Sequence, residues 1–169
     1  MSGIGHFAAG FAAKPLEPKI SLWVLLVASE TNDILYFLFA SIGLEQKAGM
    51  TMDFSQGVQY LTPTLNPWSH GLFMSVIWSL MAALIGCLFY KDRRSGLLLG
   101  TVVFSHWLLD FLMHSNLPLF FHDSHQVGLG LENSGIGLLF MTIFDLVILA
   151  AAIFFYYRAK RRASLPVRP

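Results

Sequence analysis

Long apolar stretches separated by short polar ones dominate the pattern of this chain. Four of them are long enough to cross a hydrocarbon core of about 30 Å at about 1.5 Å per helical residue. They cover residues 20–43, 70–90, 96–117 and 134–157. The pattern therefore predicts an all-α integral membrane protein with four transmembrane helices, which form a single domain over residues 1–158.

The opening segment, GIGHFAAGFAA, is apolar but too short to span a membrane. Pro15 and Pro18 separate it from the first long stretch, because proline interrupts a helix. It lacks the basic region of a signal peptide, so we expect it to be retained. Two placements are open, a half-membrane helix tucked among the others or a helix at the membrane surface. In the first case His6 lies about 12 Å deep, near the level of Glu30.

Charge and composition support the membrane prediction and give it an orientation. Hydrophobic residues make up 55% of the chain and charged residues 12%, and the mean hydropathy is +0.60. The basic residues cluster in residues 14–19, 91–94 and 158–168, which fall on one side of a four-span bundle. The positive-inside rule then places both termini in the cytoplasm. The basic tail, residues 159–169, fits a topology anchor better than a nucleic-acid-binding segment, since the net charge is only +1.

One polar stripe interrupts the apolar pattern. Within GTVVFSHWLLDFLMHS (residues 100–115), His106, Asp110 and His114 are spaced four apart. Residues with this spacing share a face of an α-helix. Ionisable groups inside a membrane span are costly and usually mark a functional site.

Depth along the predicted spans indicates which polar residues can meet. Counted from the cytoplasmic end, Glu30 and His106 both lie about 15 Å deep, and Asp33 and Asp110 both lie about 20 Å deep. Asp145 falls near mid-depth of the last span, where we expect it to make a helix contact. His70 and His114 come near the outer surface, and this whole set of polar residues can line one cavity that opens outward.

These groups predict a divalent metal site built from nitrogen and oxygen ligands, because the chain has one cysteine. Zinc is the first choice, with manganese or iron as alternatives. His106 and His114 lie about 12 Å apart along the helix axis, so one ion would bind one of them with Asp110. Alternatively, two ions about 3.5 to 4 Å apart would share Asp110. Candidate ligands are His106, Asp110, His70, Asp33, His114 and His6, and candidate catalytic bases are Glu30 and Asp33.

Several of these motifs resemble a known family. The SHWLLD run (residues 105–110), PWSHG (residues 67–71), Asp33 and the GHFAAGFAAK opening look like the YdjM-like group of bacterial integral-membrane proteins, described as membrane-bound metal-dependent hydrolases. VGLGLENS (residues 127–134) is similar to a close subgroup. The resemblance implies metal ligation by the residues that match the family pattern: His106, Asp110, Asp33, His70 and His6.

The chain departs from that family at two places. The family often has a Leu-Pro-Asp-Ile-Asp pattern around Asp33, where this chain has SETND, so that Glu30 substitutes only in part. The family also often has a second histidine five residues before the one that matches His70, where this chain has Leu65. His114 is the residue that could compensate.

Three function classes remain open at this stage. The first is a membrane hydrolase in which a metal-bound water attacks an ester or phosphoester of a lipid or envelope molecule. The second is a small transporter or permease whose carboxylates and histidines relay protons or bind a cation. The third is a non-catalytic scaffold whose polar residues hold helices together. The lipid bilayer is the expected partner in all three, and a homodimer stays open.

Overall fold

Helices form most of this computed structural model, which describes residues 3–45, 49–53, 57–61, 66–121, 125–131 and 137–163. Within these residues the chain begins with a 3-10 turn at Ile4–His6 and forms six α-helices and two short antiparallel hairpins. The helices are α1 (Phe7–Ala13), α2 (Leu22–Ser29), α3 (Thr31–Ser41), α4 (Leu72–Tyr90), α5 (Arg93–Met113) and α6 (Gly137–Ala163).

The number of long apolar helices is three, or four when a bent pair is counted as one. By length and composition, α4, α5 and residues 139–163 of α6 can each cross a membrane. The stretch predicted as one helix over residues 20–43 is instead broken into α2 and α3, which meet at 56°. The prediction of four continuous spanning helices is therefore corrected at the first of them.

Back-bonding side chains mark the break between α2 and α3. The Ser29 hydroxyl donates to the carbonyl of Leu26 at 2.8 Å, and the Thr31 hydroxyl donates to the carbonyl of Val27 at 3.3 Å. Hydroxyls that compete in this way for helix carbonyls bend helices. Glu30 lies at the break with φ −101° and ψ 8°, outside helical geometry. The break leaves the carbonyl of Ser29, the last residue of α2, to accept a bond from another helix.

The α5 helix lies at the centre of the bundle. It packs against α4, α2, α3 and α1. Half of its 18-residue apolar stretch is buried, whereas 17% of the corresponding stretch is buried in α4 and in α6. Two glycines on α5 let it approach α4 closely, because there is no room for a side chain at either position. A Cβ added to Gly96 would lie 2.5 Å from the Ala83 carbonyl oxygen, and a Cβ added to Gly100 would lie 2.8 Å from the Ser79 carbonyl oxygen. The packing carries the polar stripe of α5 into the interior.

The opening segment folds back into the bundle. Lys14 closes the turn before α2 by donating to the carbonyls of Pro18 and Ile20, at 2.9 and 2.6 Å. The α1 helix then packs against α2, α5 and α6, where a Cβ on Gly10 would lie 3.0 Å from the backbone of Leu25. The segment is tucked among the other helices, as the first of its two predicted placements requires.

The connections contain strands that the sequence pattern did not predict. One hairpin pairs β1 (Gly49–Asp53) with β2 (Gly57–Leu61), and the other pairs β3 (Leu117–Pro118) with β4 (Gln126–Val127). The basic tail predicted from residue 159 also differs, because α6 continues to Ala163. Residues 164–169 lie outside the described part of the chain.

Candidate metal centre

The stripe on α5 converges on Asp110, whose two carboxylate oxygens face different histidines. His106 lies one turn earlier on the same face, with its Nε2 3.4 Å from Asp110 Oδ2. His114 caps the end of α5, with its Nε2 3.5 Å from Asp110 Oδ1. Asp110 and His106 are both buried, whereas the His114 side chain is 27% exposed. The spacing of four predicted both contacts.

Two residues from other elements complete the inner part of this cluster. Asp33, in the first turn of α3, places its Oδ1 3.3 Å from His70 Nε2 and 3.6 Å from His106 Nε2. His70, just before α4, also places its Nε2 3.6 Å from Asp110 Oδ2. Residues 33, 70, 106 and 110, far apart in the chain, therefore meet at one point in the fold.

His6 reaches the same cluster from the folded-back opening segment. Its ring stacks on that of His106, with centroids 3.6 Å apart and planes 9° apart. Its Nε2 lies 3.4 Å from Asp110 Oδ1, and the residue is 2% exposed. The sequence placed His6 near Glu30 in depth, and the structure places it against the central helix.

The cluster contains two triplets of ligand atoms that could hold a metal ion. His6, Asp33 and His106 form one triplet, and His70, His106 and Asp110 form the other, with the atoms of each triplet within 4.8 Å of one another. In a tetrahedral site with bonds of about 2.0 to 2.1 Å, neighbouring ligand atoms lie about 3.3 to 3.4 Å apart. The nitrogen–oxygen distances here, 3.3 to 3.6 Å, are close to that spacing. The shortest, His70 Nε2 to Asp33 Oδ1 at 3.3 Å, is also a hydrogen-bond contact.

The protonation of His106 follows from its backbone contact. Its Nδ1 lies 2.8 Å from the carbonyl oxygen of Ser29, which only accepts, so Nδ1 carries a hydrogen and donates. In the neutral ring, Nε2 then presents a lone pair to Asp33 and Asp110. That nitrogen is buried and has no hydrogen-bond partner among the described residues. Electron pairs facing carboxylates repel one another unless a cation or a second proton lies between them.

Glu30 lies beside the cluster without belonging to either triplet. It sits at the break after α2, between Ser29 and α3, and is half-buried. Its Oε1 is buried and has no hydrogen-bond partner within the described part of the chain. Glu30 is thus placed as a neighbour of the cluster, and its predicted role as a base stays a prediction.

Two other predicted positions lie outside the triplets. His114 contacts Asp110 Oδ1 but joins neither triplet. Asp145 on α6 is buried at 1% exposure and also joins neither. The ion pairs Lys19–Asp92 and Arg94–Glu17 lie near the other end of α5, about 27 Å along the helix from Asp110.

Sequence reasoning missed three groups that support the cluster: the Ser29 carbonyl, Ser69 and Glu45. Ser69 had a local signal, since it directly precedes His70. Glu45 had none, because its bonds to Ser69 cross 24 positions of the chain. The Ser29 carbonyl becomes available through the helix break, which the apolar pattern conceals.

Comparisons with protein-family models, with curated proteins and with solved structures gave no match to this chain.

Proposed function

We propose that this protein is a membrane-embedded, metal-dependent hydrolase that cleaves an ester or phosphoester of a lipid or envelope molecule. The observation that carries the proposal is the buried Nε2 of His106, which faces Asp33 and Asp110 and has no hydrogen-bond partner in the described ranges of the chain. His106, Asp33 and Asp110 would hold a divalent cation, whose positive charge would offset the repulsion between these atoms. The resemblance of the SHWLLD and PWSHG motifs to metal-dependent membrane hydrolases supports the same reading.

The proposed ligands are His70, His106 and Asp110, which form one triplet, together with Asp33, which belongs to the other triplet and lies 3.3 Å from His70 Nε2 and 3.6 Å from His106 Nε2. Two imidazole nitrogens and two carboxylate oxygens suit zinc, and they also accept manganese or iron. His106 has a single ring nitrogen left after its bond to Ser29, so it binds one ion and not two. We therefore favour one ion, held by the side chains that surround this nitrogen.

Glu30 is the proposed base. Bound zinc supplies positive charge that polarises the substrate and lowers the pKa of a water molecule toward neutrality. Glu30 accepts a proton from the attacking water, whose oxygen forms a bond to the carbonyl carbon or phosphorus. The bond to the leaving oxygen breaks, and Glu30 returns the proton to that oxygen. The buried and unpartnered Oε1 of Glu30 suits this transfer.

Substrate reaches the cluster from the side of Asp33 and His70. Their side chains are 31% and 15% exposed, whereas His106 is fully buried and Asp110 is 4% exposed. Tyr36 lies edge-on to His70 on this side, with ring centroids 6.1 Å apart. Partly exposed polar side chains beside an aromatic ring fit the ester region of a lipid.

The proposed location is the bacterial inner membrane, with both termini in the cytoplasm. Large apolar side chains on α4 and α6 are exposed on the surface of the bundle. Examples are Leu80, Leu84, Leu88, Leu146 and Phe154. Such faces are suited to lipid, and the basic clusters fit the positive-inside rule.

The test combines metal content with turnover. The protein is purified in mild detergent without a histidine tag, and bound metal is measured by elemental mass spectrometry. We expect about one equivalent of zinc or manganese in the wild type and in Glu30→Gln, and a loss of metal in His106→Ala. In vesicles of bacterial phospholipids, the wild type should release ester or phosphoester products and Glu30→Gln should not.

Glu17→Gln is the matched control, because Glu17 is a buried carboxylate paired with Arg94 away from the cluster. It should keep both metal and turnover. Absence of metal from the wild type, even after incubation with zinc or manganese, would contradict the metal centre. Bound metal without turnover of any phospholipid, lipid ester or envelope phosphoester would contradict the hydrolase and favour cation transport.

A further inference from the structure

Glu45 is a buried carboxylate that acts as an acceptor at both of its oxygens. Its Oε1 accepts hydrogen bonds from the backbone N–H groups of Trp68 and Ser69, each at 2.9 Å. Its Oε2 lies 2.8 Å from the hydroxyl of Ser69. The residue is 6% exposed and follows α3, at the start of the long connection to α4. The carboxylate therefore holds the segment that presents His70.

The Ser69 hydroxyl lies between Glu45 and His70. Its oxygen is 2.7 Å from His70 Nδ1 as well as 2.8 Å from Glu45 Oε2. A hydroxyl has one hydrogen to give, and a carboxylate oxygen only accepts. Ser69 thus donates to Glu45 and accepts from His70, which places the ring hydrogen on Nδ1. In the neutral ring the other nitrogen, Nε2, then has the lone pair. It lies 3.3 Å from Asp33 Oδ1, a hydrogen-bond contact, and 3.6 Å from Asp110 Oδ2, so a proton or a cation is required between these atoms.

We propose that Glu45 and Ser69 are positioning residues that hold His70 in the tautomer whose Nε2 is free to bind a cation. This inference rests on the proposed metal centre only for its consequence, which is tighter metal binding. Hydrogen bonds of this kind to metal-binding histidines orient the ring and typically change metal affinity 10- to 100-fold. The direction of the hydrogen bonds itself is a property of the metal-free protein.

His106 obtains the same tautomer by an independent route. Its Nδ1 donates to the carbonyl of Ser29 at the break after α2. The two histidines use different partners on different elements, yet both direct Nε2 at the same two carboxylates, Asp33 and Asp110. Two unrelated supports with one outcome favour a role in ligand orientation over a role in helix packing alone.

The substitution Glu45→Gln separates a role in ligand orientation from a role in helix packing. Glutamine keeps the shape, and its carbonyl oxygen must take the place of Oε1 to accept the two backbone N–H groups. Its amide nitrogen then faces Ser69 and donates to it. Ser69 is forced to donate to His70 Nδ1, so that the ring hydrogen moves to Nε2, where Asp33 and Asp110 accept it. The fold is kept while the tautomer is reversed.

The experiment reads the tautomer directly by nitrogen-15 NMR of histidine-labelled, chelator-treated full-length protein in detergent at pH 8. His70→Gln assigns the signal of His70. We expect the Nδ1–H form in the wild type and the Nε2–H form in Glu45→Gln, with zinc affinity 10- to 100-fold weaker in the variant. Ser75→Ala is the control, because Ser75 is a buried serine on α4 that accepts a bond from Asn32 at 3.1 Å. It should change neither readout.

Each outcome bears on a different claim. An unchanged tautomer in Glu45→Gln overturns the positioning role. If the wild type binds zinc, a reversed tautomer with unchanged zinc affinity overturns it as well. A reversed tautomer in a protein whose wild type binds no metal supports the positioning role and overturns the metal centre. If Glu45→Gln does not fold, the tautomer of His70 is measured in Ser69→Ala instead, since this variant removes the acceptor of the Nδ1–H bond.

Discussion

The Nδ1–H of His106 donates a 2.8 Å hydrogen bond to the backbone carbonyl of Ser29, 77 positions away in the chain. The bond joins the centre of α5 to the last residue of α2, where the helix break frees the carbonyl. Freed carbonyls within a bundle require a donor, and here a histidine supplies it. One contact thus satisfies the broken helix and fixes the orientation of a candidate ligand.

We expect Asp110→Asn to abolish stabilisation by zinc while leaving the fold intact. The side chain keeps its size but loses the negative charge that faces His106 and His70. A ligand that binds the native state at 100 times its dissociation constant stabilises it by about 2.7 kcal/mol. Thermal melts with and without zinc measure the difference. Asp145→Asn, at a buried aspartate outside both triplets, should still respond to zinc, and a zinc response in Asp110→Asn would exclude Asp110 as a ligand.

His114→Ala should keep the bound metal, whereas His70→Ala should lose it. His114 faces Asp110 Oδ1 at the partly exposed end of α5, but it belongs to neither triplet of ligand atoms. His70 contacts both Asp33 and Asp110. Metal content of the two purified variants decides the matter, and equal loss from both would show that the ion lies nearer the end of α5.

Gly96→Ala should destabilise the bundle, because the added Cβ would lie 2.5 Å from the Ala83 carbonyl oxygen and against the Cys87 sulfur. Overpacking of this kind typically costs about 1 to 3 kcal/mol. The free energy of unfolding in mixed micelles is the measurement. Leu97→Ala is the control on the same helix, since Leu97 is 66% exposed. Equal stability of Gly96→Ala and the wild type would mean that α4 and α5 are free to separate.

Asp92 should make a small contribution to stability that depends on pH. Hydrogen bonds from the Ser95 side chain and backbone lower the pKa of this N-cap carboxylate at the start of α5. A lowered folded-state pKa stabilises the protein above the ordinary pKa of an aspartate, and the effect is lost as the pH falls through the lowered value. Asp92→Asn keeps an N-cap acceptor without titrating. The difference in melting temperature between the two proteins should shrink as the pH is lowered from 7 to 3, and a difference independent of pH would contradict the assignment.

The sequence by itself determined the long helices and half of the candidate site. Apolar stretches of about twenty residues allow little except membrane-length helices, and a spacing of four necessarily puts His106, Asp110 and His114 on one face. Depth counting also placed Asp33 near His106 and Asp110, although it assumed one continuous helix over residues 20–43, which the structure breaks at Glu30. The shared face of α5 follows from local helix geometry, which short-range sequence contains.

Tertiary structure decided what local geometry does not contain. The break at Glu30 depends on competing hydroxyl bonds, and it alters the direction of α3 and frees the Ser29 carbonyl. Packing of α1 against α2 selected the inserted placement of His6, which the sequence left open between two. Glu45 reaches Ser69 only through the folding of a long connection. These relationships join residues distant in the chain, so that their energies depend on the packed arrangement and leave no periodic trace in the sequence.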